Sequence, residues 1–215
     1  AALFFAPVNL IAPLEGLGLV VLIIFSYFVL KEEISNLQVT GIVLILGGTI
    51  MITIFNQNTA DIQFQDFDQD TFFIIVIIIV AIELLAILIS KVTGYKGAGL
   101  IIGTTAGTFM ALQTVTKRIT AIPDPVLAIT FTFISFTVTT LTFLFTQFAF
   151  AKANANIVVP CFTSASIILA VIIGTLTLSE EIILIQIIGM GIIVAGVIIL
   201  TAFKGEEIVV SEKQV

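Results

Sequence analysis

The segment Asn9–Phe55 returns as Asn156–Phe203, and both copies are apolar along nearly their whole length. Asn9 and Pro13 match Asn156 and Pro160 at a spacing of 147 residues. After one inserted residue, Leu30, Glu32, Glu33, Ile34, Gln38, Gly41, Gly48, Thr53 and Phe55 match Leu178, Glu180, Glu181, Ile182, Gln186, Gly189, Gly196, Thr201 and Phe203 at a spacing of 148. Ile- and Leu-rich sequence matches itself by accident, but accident rarely reproduces Asn, Pro, Glu-Glu, Gln and two glycines in order. The duplication is therefore read as real. An odd number of apolar segments separates equivalent points, so the two copies thread a bilayer in opposite senses.

A bilayer is required by composition. The chain is 59% hydrophobic and 10% charged, with a mean hydropathy of +1.26, whereas soluble domains carry about 25% charged residues. In hydrocarbon each unpaired backbone group costs several kcal/mol, so only helices or closed barrels span it. Apolar runs of about 20 residues select helices over the alternation of barrel strands.

Seven spanning segments are expected, at Val8–Leu30, Leu37–Phe55, Phe72–Ser90, Ala98–Val115, Val126–Phe150, Val158–Leu178 and Ile183–Phe203, with Ala1–Ala6 as the end of an eighth. The second copy begins near Phe72, so its counterpart begins roughly 75 residues before Ala1, room for about three helices. The fold expected is thus an all-α integral membrane protein, seven complete transmembrane helices plus the end of an eighth, truncated at the N-terminus. Residues 1–55 form the C-terminal part of the first repeat, 56–71 an acidic extracytoplasmic linker, 72–203 the second repeat and 204–215 a cytoplasmic tail.

The linker holds Asp61, Asp66, Asp68 and Asp70 and no Lys or Arg, which places it outside by the positive-inside rule. Alternating from there puts Lys31, Lys91, Lys96, Lys152, Lys204 and Lys213 inside and Lys117 and Arg118 outside. Within the repeat, Lys31 becomes Ser179 where the inverted arrangement moves the turn outward. Asp66, Asp68 and Asp70 fail as a calcium loop, because Thr71 stands for the required glycine and Ile77 for the terminal glutamate.

Glu15 and Glu83 fall inside apolar segments, where a carboxylate costs about 2.5 to 3.5 kcal/mol on insertion scales. Either they serve a proton- or cation-coupled cavity, or they are neutral acids bonded to a neighbouring helix. Thr132, Ser135, Thr139, Thr142 and Thr146 share one helical face with Gln147 adjoining. They line a substrate path, or each hydroxyl bonds its own carbonyl one turn earlier. Asn9 and Asn156, each four residues before a proline, open corresponding segments, as broken helices do at transporter midplanes; proline near a helix start is also tolerated structurally. Gly99, Gly103, Gly107 and Ala111 recur every four residues and are read as a packing stripe. The Glu32-Glu33 and Glu180-Glu181 pairs are read as structural, stabilising the first turn of the next helix.

With no His and a single Cys161, the chain offers no Ser-His pair, zincin signature or disulfide framework. It is not expected to be an enzyme and no cofactor is expected; a metal site cannot be read from the residues. The charge of -6 gives no footprint for nucleic acid. The partners expected are membrane lipid, a small-molecule or cation substrate and a second copy in a homodimer, in the cell (plasma) membrane.

These residues resemble the drug/metabolite transporter superfamily of the EamA type. The carriers are Pro13 through Leu30-Lys31-Glu32, Gln38 and Gly41, and Pro160 through Leu178-Ser179-Glu180, Gln186 and Gly189. The resemblance implies ten helices in two inverted five-helix repeats. Phe5-Ala6-Pro7-Val8-Asn9-Leu10-Ile11-Ala12-Pro13-Leu14, Thr146-Gln147 and Asn156-Ile157-Val158-Val159-Pro160 look like the NIPA magnesium-transporter branch. That likeness implies Mg2+ or another divalent cation as substrate, moved by alternating access. Export of metabolites or amino acids, and a non-transporting scaffold or sensor with Glu15 and Glu83 sealed against helices, are the alternatives.

Overall fold

The computed structural model describes residues 6–30, 35–56, 62–92, 98–153 and 155–202. Lys31–Glu33, Asp61, Lys96 and the 204–215 tail lie outside the described residues, as do most of Ala1–Ala6 and the side chain of Asn156. Within the described residues the chain is helical and has no strand.

Helix α1 is built from four pieces: a single turn Val8–Ile11, a 3-10 turn Ala12–Leu14, an α-helical stretch Glu15–Phe25 and a π-helical end Ser26–Leu30. Pro13, lacking an N–H, falls in the 3-10 turn, so regular helix resumes at Glu15. Then follow α2 (Asn36–Ile54), a 3-10 turn Phe64–Asp66, α3 (Gln69–Val92), α4 (Ala98–Ile119), α5 (Pro125–Lys152), α6 (Ala155–Thr177) and α7 (Leu184–Ala202).

Among the described residues, Asn36–Ile54, Gln69–Val92, Pro125–Lys152 and Val158–Thr177 are long and apolar enough to cross a membrane, while Val8–Val21 and Leu184–Ile199 are apolar but shorter. Helix α4 does not meet that measure, because threonines and glycines dilute its apolar residues. It is nonetheless central, packed along α5 on one side and α6 on another.

Among the described residues, the two glutamines and the α2 and α7 glycines that share the 148-residue spacing play the same parts. Gln38 Oε1 accepts the Ser35 N–H at 2.9 Å and Gln186 Oε1 accepts the Ile183 N–H at 3.1 Å, so each glutamine closes the first turn of its helix. Helices α2 and α7 pack antiparallel. A Cβ on Gly48 would lie 2.7 Å from the Gly189 carbonyl oxygen and 2.7 Å from Ile193 Cγ1; one on Gly196 would lie 2.9 Å from the Gly41 carbonyl oxygen and 2.9 Å from Ile45 Cγ1. Adding 148 to Gly41, Ile45 and Gly48 yields Gly189, Ile193 and Gly196, so each contact maps onto the other. Because the pair is antiparallel, Ser35 and Ile183 stand at opposite ends of the bundle.

The linker is docked rather than merely solvated. Ile62 and Phe67 are buried, the Asp68 N–H donates to the Thr177 carbonyl at 2.9 Å, and the Ser179 hydroxyl donates to the Asp66 carbonyl at 3.2 Å. Phe67 and Phe72 meet Phe131 edge-on, with ring centroids 5.5 and 5.6 Å apart, and close this end of the bundle. Helix α3 sits at the periphery and turns Ile74, Ile78, Leu85 and Ile89 outward, as a lipid-facing helix does.

Candidate functional site

Three polar clusters lie within this apolar frame, and helix α4 contributes to each. The first forms around Glu15, the opening residue of the regular part of α1. Its Oε2 accepts the Ser166 hydroxyl of α6 at 2.5 Å, and its Oε1 accepts the Thr114 hydroxyl of α4 at 3.4 Å. Glu15 also lines a cavity of about 390 Å³ with Gly18, Leu19, Met110, Thr146, Phe150, Val158, Val159, Phe162 and Thr163. The cavity lies between α1, α4, α5 and α6, toward the Lys152 end of α5 and away from the linker. A larger cavity of about 500 Å³ lies between α6 and α7, but its walls are apolar apart from Thr175 and carry no charged side chain. Of the two, the smaller one carries a charged side chain.

The second cluster surrounds Glu83 on α3. Thr105 and Thr108 of α4 donate to its Oε2 and Oε1 at 2.5 and 2.7 Å. At about 100° per residue, Thr114 projects roughly 180° from Thr105 around α4, so Glu15 and Glu83 approach that helix from opposite sides. The two carboxylates are not brought together, and among the described residues no three acidic, His or Cys side chains form a metal-binding group.

The third cluster stands at the linker end. The Glu180 carboxylate accepts the Val8 N–H at 2.8 Å and the Asn9 N–H at 3.0 Å. It therefore satisfies the orphan donors of α1, where the sequence reading places it on the first turn of the helix that follows it. Ser179, at φ 52°, turns the chain so that this carboxylate points back. Arg118 Nε lies 3.7 Å from Glu180 Oε1, with both side chains buried. Arg118 is thus at the expected end but inside the protein, a correction to its reading as an outward loop cation. Burial pushes the Glu180 carboxyl up, against the opposing pull of the two N–H groups and the guanidinium.

The remaining predicted residues divide. Asn9 is buried in this third cluster, its Nδ2 donating to the Glu181 carbonyl at 2.9 Å, and it does not line the Glu15 cavity. Of the hydroxyl stripe on α5, Thr146 lines the cavity. Thr142 is buried and bonded to the Val138 carbonyl at 2.9 Å, Thr139 is bonded to the Ser135 carbonyl at 2.7 Å, and Gln147 is exposed. On α4, a Cβ at Gly103 would sit 3.3 Å from the Val158 carbonyl oxygen, one at Gly107 would collide with that of Phe162, and one at Gly99 with Ala153. Ala111 is fully buried. Gly103 and Gly107 let α4 close upon α6 beside the cavity, and Gly99 lets it close upon the end of α5.

Sequence reasoning passed over Thr114, Ser166, Thr105 and Thr108, the four hydroxyls that hold the two glutamates. The Thr105/Thr108 pair at i, i+3 is the one signal that could have marked a polar face on α4.

Comparison with known proteins follows the same lines. No curated protein and no solved structure matches the chain. The family described as magnesium transporter NIPA matches residues 1–150, which takes in both intramembrane glutamates and nearly all of α5. With most of its length matched and its apolar helices in place, this integral multi-pass membrane protein belongs to the magnesium transporter NIPA family.

Proposed function

We propose that the protein moves a hydrated divalent cation, Mg2+ first among them, through the Glu15 cavity by alternating access between two inverted repeats. The observation that carries this reading is a carboxylate held at the head of a broken helix, on the wall of a cavity large enough for the ion with its water. Mg2+ sheds its six waters reluctantly and is bound through one or two carboxylates. Six waters occupy roughly 180 Å³ at about 30 Å³ each, well within the 390 Å³ available. A single carboxylate then suffices, acting through the hydration shell, with the Thr146 and Thr163 hydroxyls as further contacts.

Support for the inverted repeat comes from the antiparallel α2–α7 pair, whose glycine contacts exchange under the 148-residue shift. Seven spanning helices fit this arrangement, with α4 shielded from lipid by its neighbours. Alternation is supported by the asymmetry of the bundle, which is closed by Arg118, Glu180 and the Phe67/Phe72/Phe131 cluster at the linker end while the cavity lies at the other. By the distribution of Lys and Arg, that other end is cytoplasmic. A second reading, an exporter of organic solutes, is favoured by the apolar walls at Leu19, Met110, Phe150 and Phe162.

The test is uptake into proteoliposomes loaded with a Mg2+-sensitive dye. One charge about 5 Å from a divalent cation at an effective dielectric near 20 contributes about 7 kcal/mol before screening by the hydration shell, so Glu15→Gln should lower uptake at least about a hundredfold. Uptake within a few fold of the parent, from a folded variant, removes Glu15 from the pathway. A parent that exchanges amino acids but not Mg2+ establishes the exporter instead.

A further inference from the structure

Glu83 lies outside the cargo cavity, yet its surroundings are built with the same parts as those of Glu15. The Thr105 hydroxyl is 2.5 Å from Glu83 Oε2 and 2.9 Å from the Ile101 carbonyl oxygen. The Thr108 hydroxyl is 2.7 Å from Glu83 Oε1 and 3.1 Å from the Thr104 carbonyl oxygen. A hydroxyl has one proton to donate and lone pairs with which to accept. When Glu83 is ionised, both hydroxyls donate to it, and these charge-assisted bonds are the stronger kind. When Glu83 is protonated, its own O–H donates to one threonine, whose proton turns onto the carbonyl one turn earlier. Hydrogen bonding is complete in either state, so gain or loss of a proton strands no buried polar group.

The charged groups on these helices stand well along the chain from the Glu83 cluster. On α4, which carries both threonines, the charged residues are Lys117 and Arg118, nine and ten residues beyond Thr108 or roughly 14 Å along the helix. Helix α6, also packed against α3, carries no charged residue; its one thiol is Cys161. On α3 itself, Lys91 is eight residues further, about 12 Å. The hydroxyl and carboxylate oxygens are already in hydrogen-bond contact, so a metal ion would have to force them apart, whereas a proton fits between them.

We infer that Glu83, Thr105 and Thr108 form a proton-binding site, separate from the cargo cavity, that carries the proton exchanged for cargo during transport. The proton is taken from water on one side and returned to water on the other, with one O–H bond made and later broken on the Glu83 carboxyl. The inference rests on the transport reading above.

The experiment uses proteoliposomes with Mg2+ as probe and compares two measurements, accumulation driven by an imposed proton gradient and Mg2+ exchange at equal pH on both sides. The parent should accumulate Mg2+ when the gradient is imposed. Glu83→Gln should lose that accumulation while keeping exchange within a few fold, whereas Glu15→Gln should lose both. The infrared band of a protonated carboxyl, followed through a pH titration, should contain a component absent from Glu83→Gln; this readout does not depend on Mg2+ being the cargo. A paired set guards against misfolding: Thr105→Val with Thr108→Val should uncouple transport, and Thr105→Ser with Thr108→Ser should restore coupling. The site is overturned by gradient-driven accumulation that survives Glu83→Gln, by a sodium gradient that replaces the proton gradient in the parent, or by exchange lost together with coupling in a folded Glu83→Gln protein.

Discussion

Asp68 is fully exposed and still matters to the fold, because it accepts the Thr71 hydroxyl at 2.6 Å and the Thr71 N–H at 3.0 Å at the start of α3. The hydroxyl first and the N–H second hold its carboxyl below the ordinary carboxylate value. A group whose folded pKa is depressed adds stability above its unfolded value, near 3.9, and loses that contribution as pH falls through the folded one. Thermal unfolding in detergent should therefore show the parent losing more of its midpoint than Asp68→Asn between neutral pH and about pH 3, since Asn caps without titrating. Equal losses in the two proteins would deny Asp68 that role. Glu15 and Glu83 were legible at this scale, because a charge within an apolar run announces itself. Their partners Thr114, Ser166, Thr105 and Thr108 were not, because a threonine in a membrane helix also satisfies itself on its own turn, and which face it turns to a neighbour is set by the rotation of the helix. Asn9 was legible as unusual, but its company of Glu180 and Glu181 depends on a contact across 171 residues or more.

Between helices, small residues decide how closely axes approach. At Gly48 the space for a Cβ is already filled by the backbone of α7, with the Gly189 carbonyl oxygen at 2.7 Å, whereas at Gly47 nothing lies within 4 Å. Gly48→Ala should cost about 1–3 kcal/mol through overpacking. Gly47→Ala should be neutral or stabilising by up to about 1 kcal/mol, the helix-propensity difference. Denaturant titration of the two variants measures the contrast, and equal stabilities would mean that α2 and α7 do not pack through Gly48. The matched glycines were visible in the sequence because their spacing recurs 148 residues on. The stripe Gly99, Gly103, Gly107 was visible too, although its partners, the end of α5 and the face of α6, were not, since a four-residue period marks a flat face without saying what lies on it. The same limit applied to the linker: its aspartates suggested solvent, while Ile62 and Phe67, which bury it against the bundle, look unremarkable in so apolar a chain.

For the molecule as a whole, polarity is distributed unequally along the membrane normal. Helix α5 places Phe131 beside Phe67 and Phe72 near its start and runs for 28 residues to Lys152, so the cavity residues Thr146 and Phe150 stand near the end remote from the linker. The linker end is sealed by aromatic packing and by Glu180, whose carboxylate ties the α1 backbone to Arg118 of α4. At the linker end, the Val8 and Asn9 N–H groups held on that carboxylate stand between the linker and the Glu15 segment of α1. This arrangement predicts sidedness. In a Cys161→Ser background, a cysteine at Thr146 should react with a membrane-impermeant maleimide from the Lys152 end and be protected from the linker end. Adding Glu180→Gln, which removes the ion pair and one of the two carboxylate acceptors, should speed labelling from the linker end by several fold. The physical reason is that charge-assisted bonds lost at a buried site are not regained from lipid, so the closed form loses stabilisation that an open, hydrated form never had. Protection that is unchanged in the folded Glu180→Gln variant would leave the aromatic cluster as the seal, and rapid labelling of the parent from the linker side would reverse the direction in which this conformation opens.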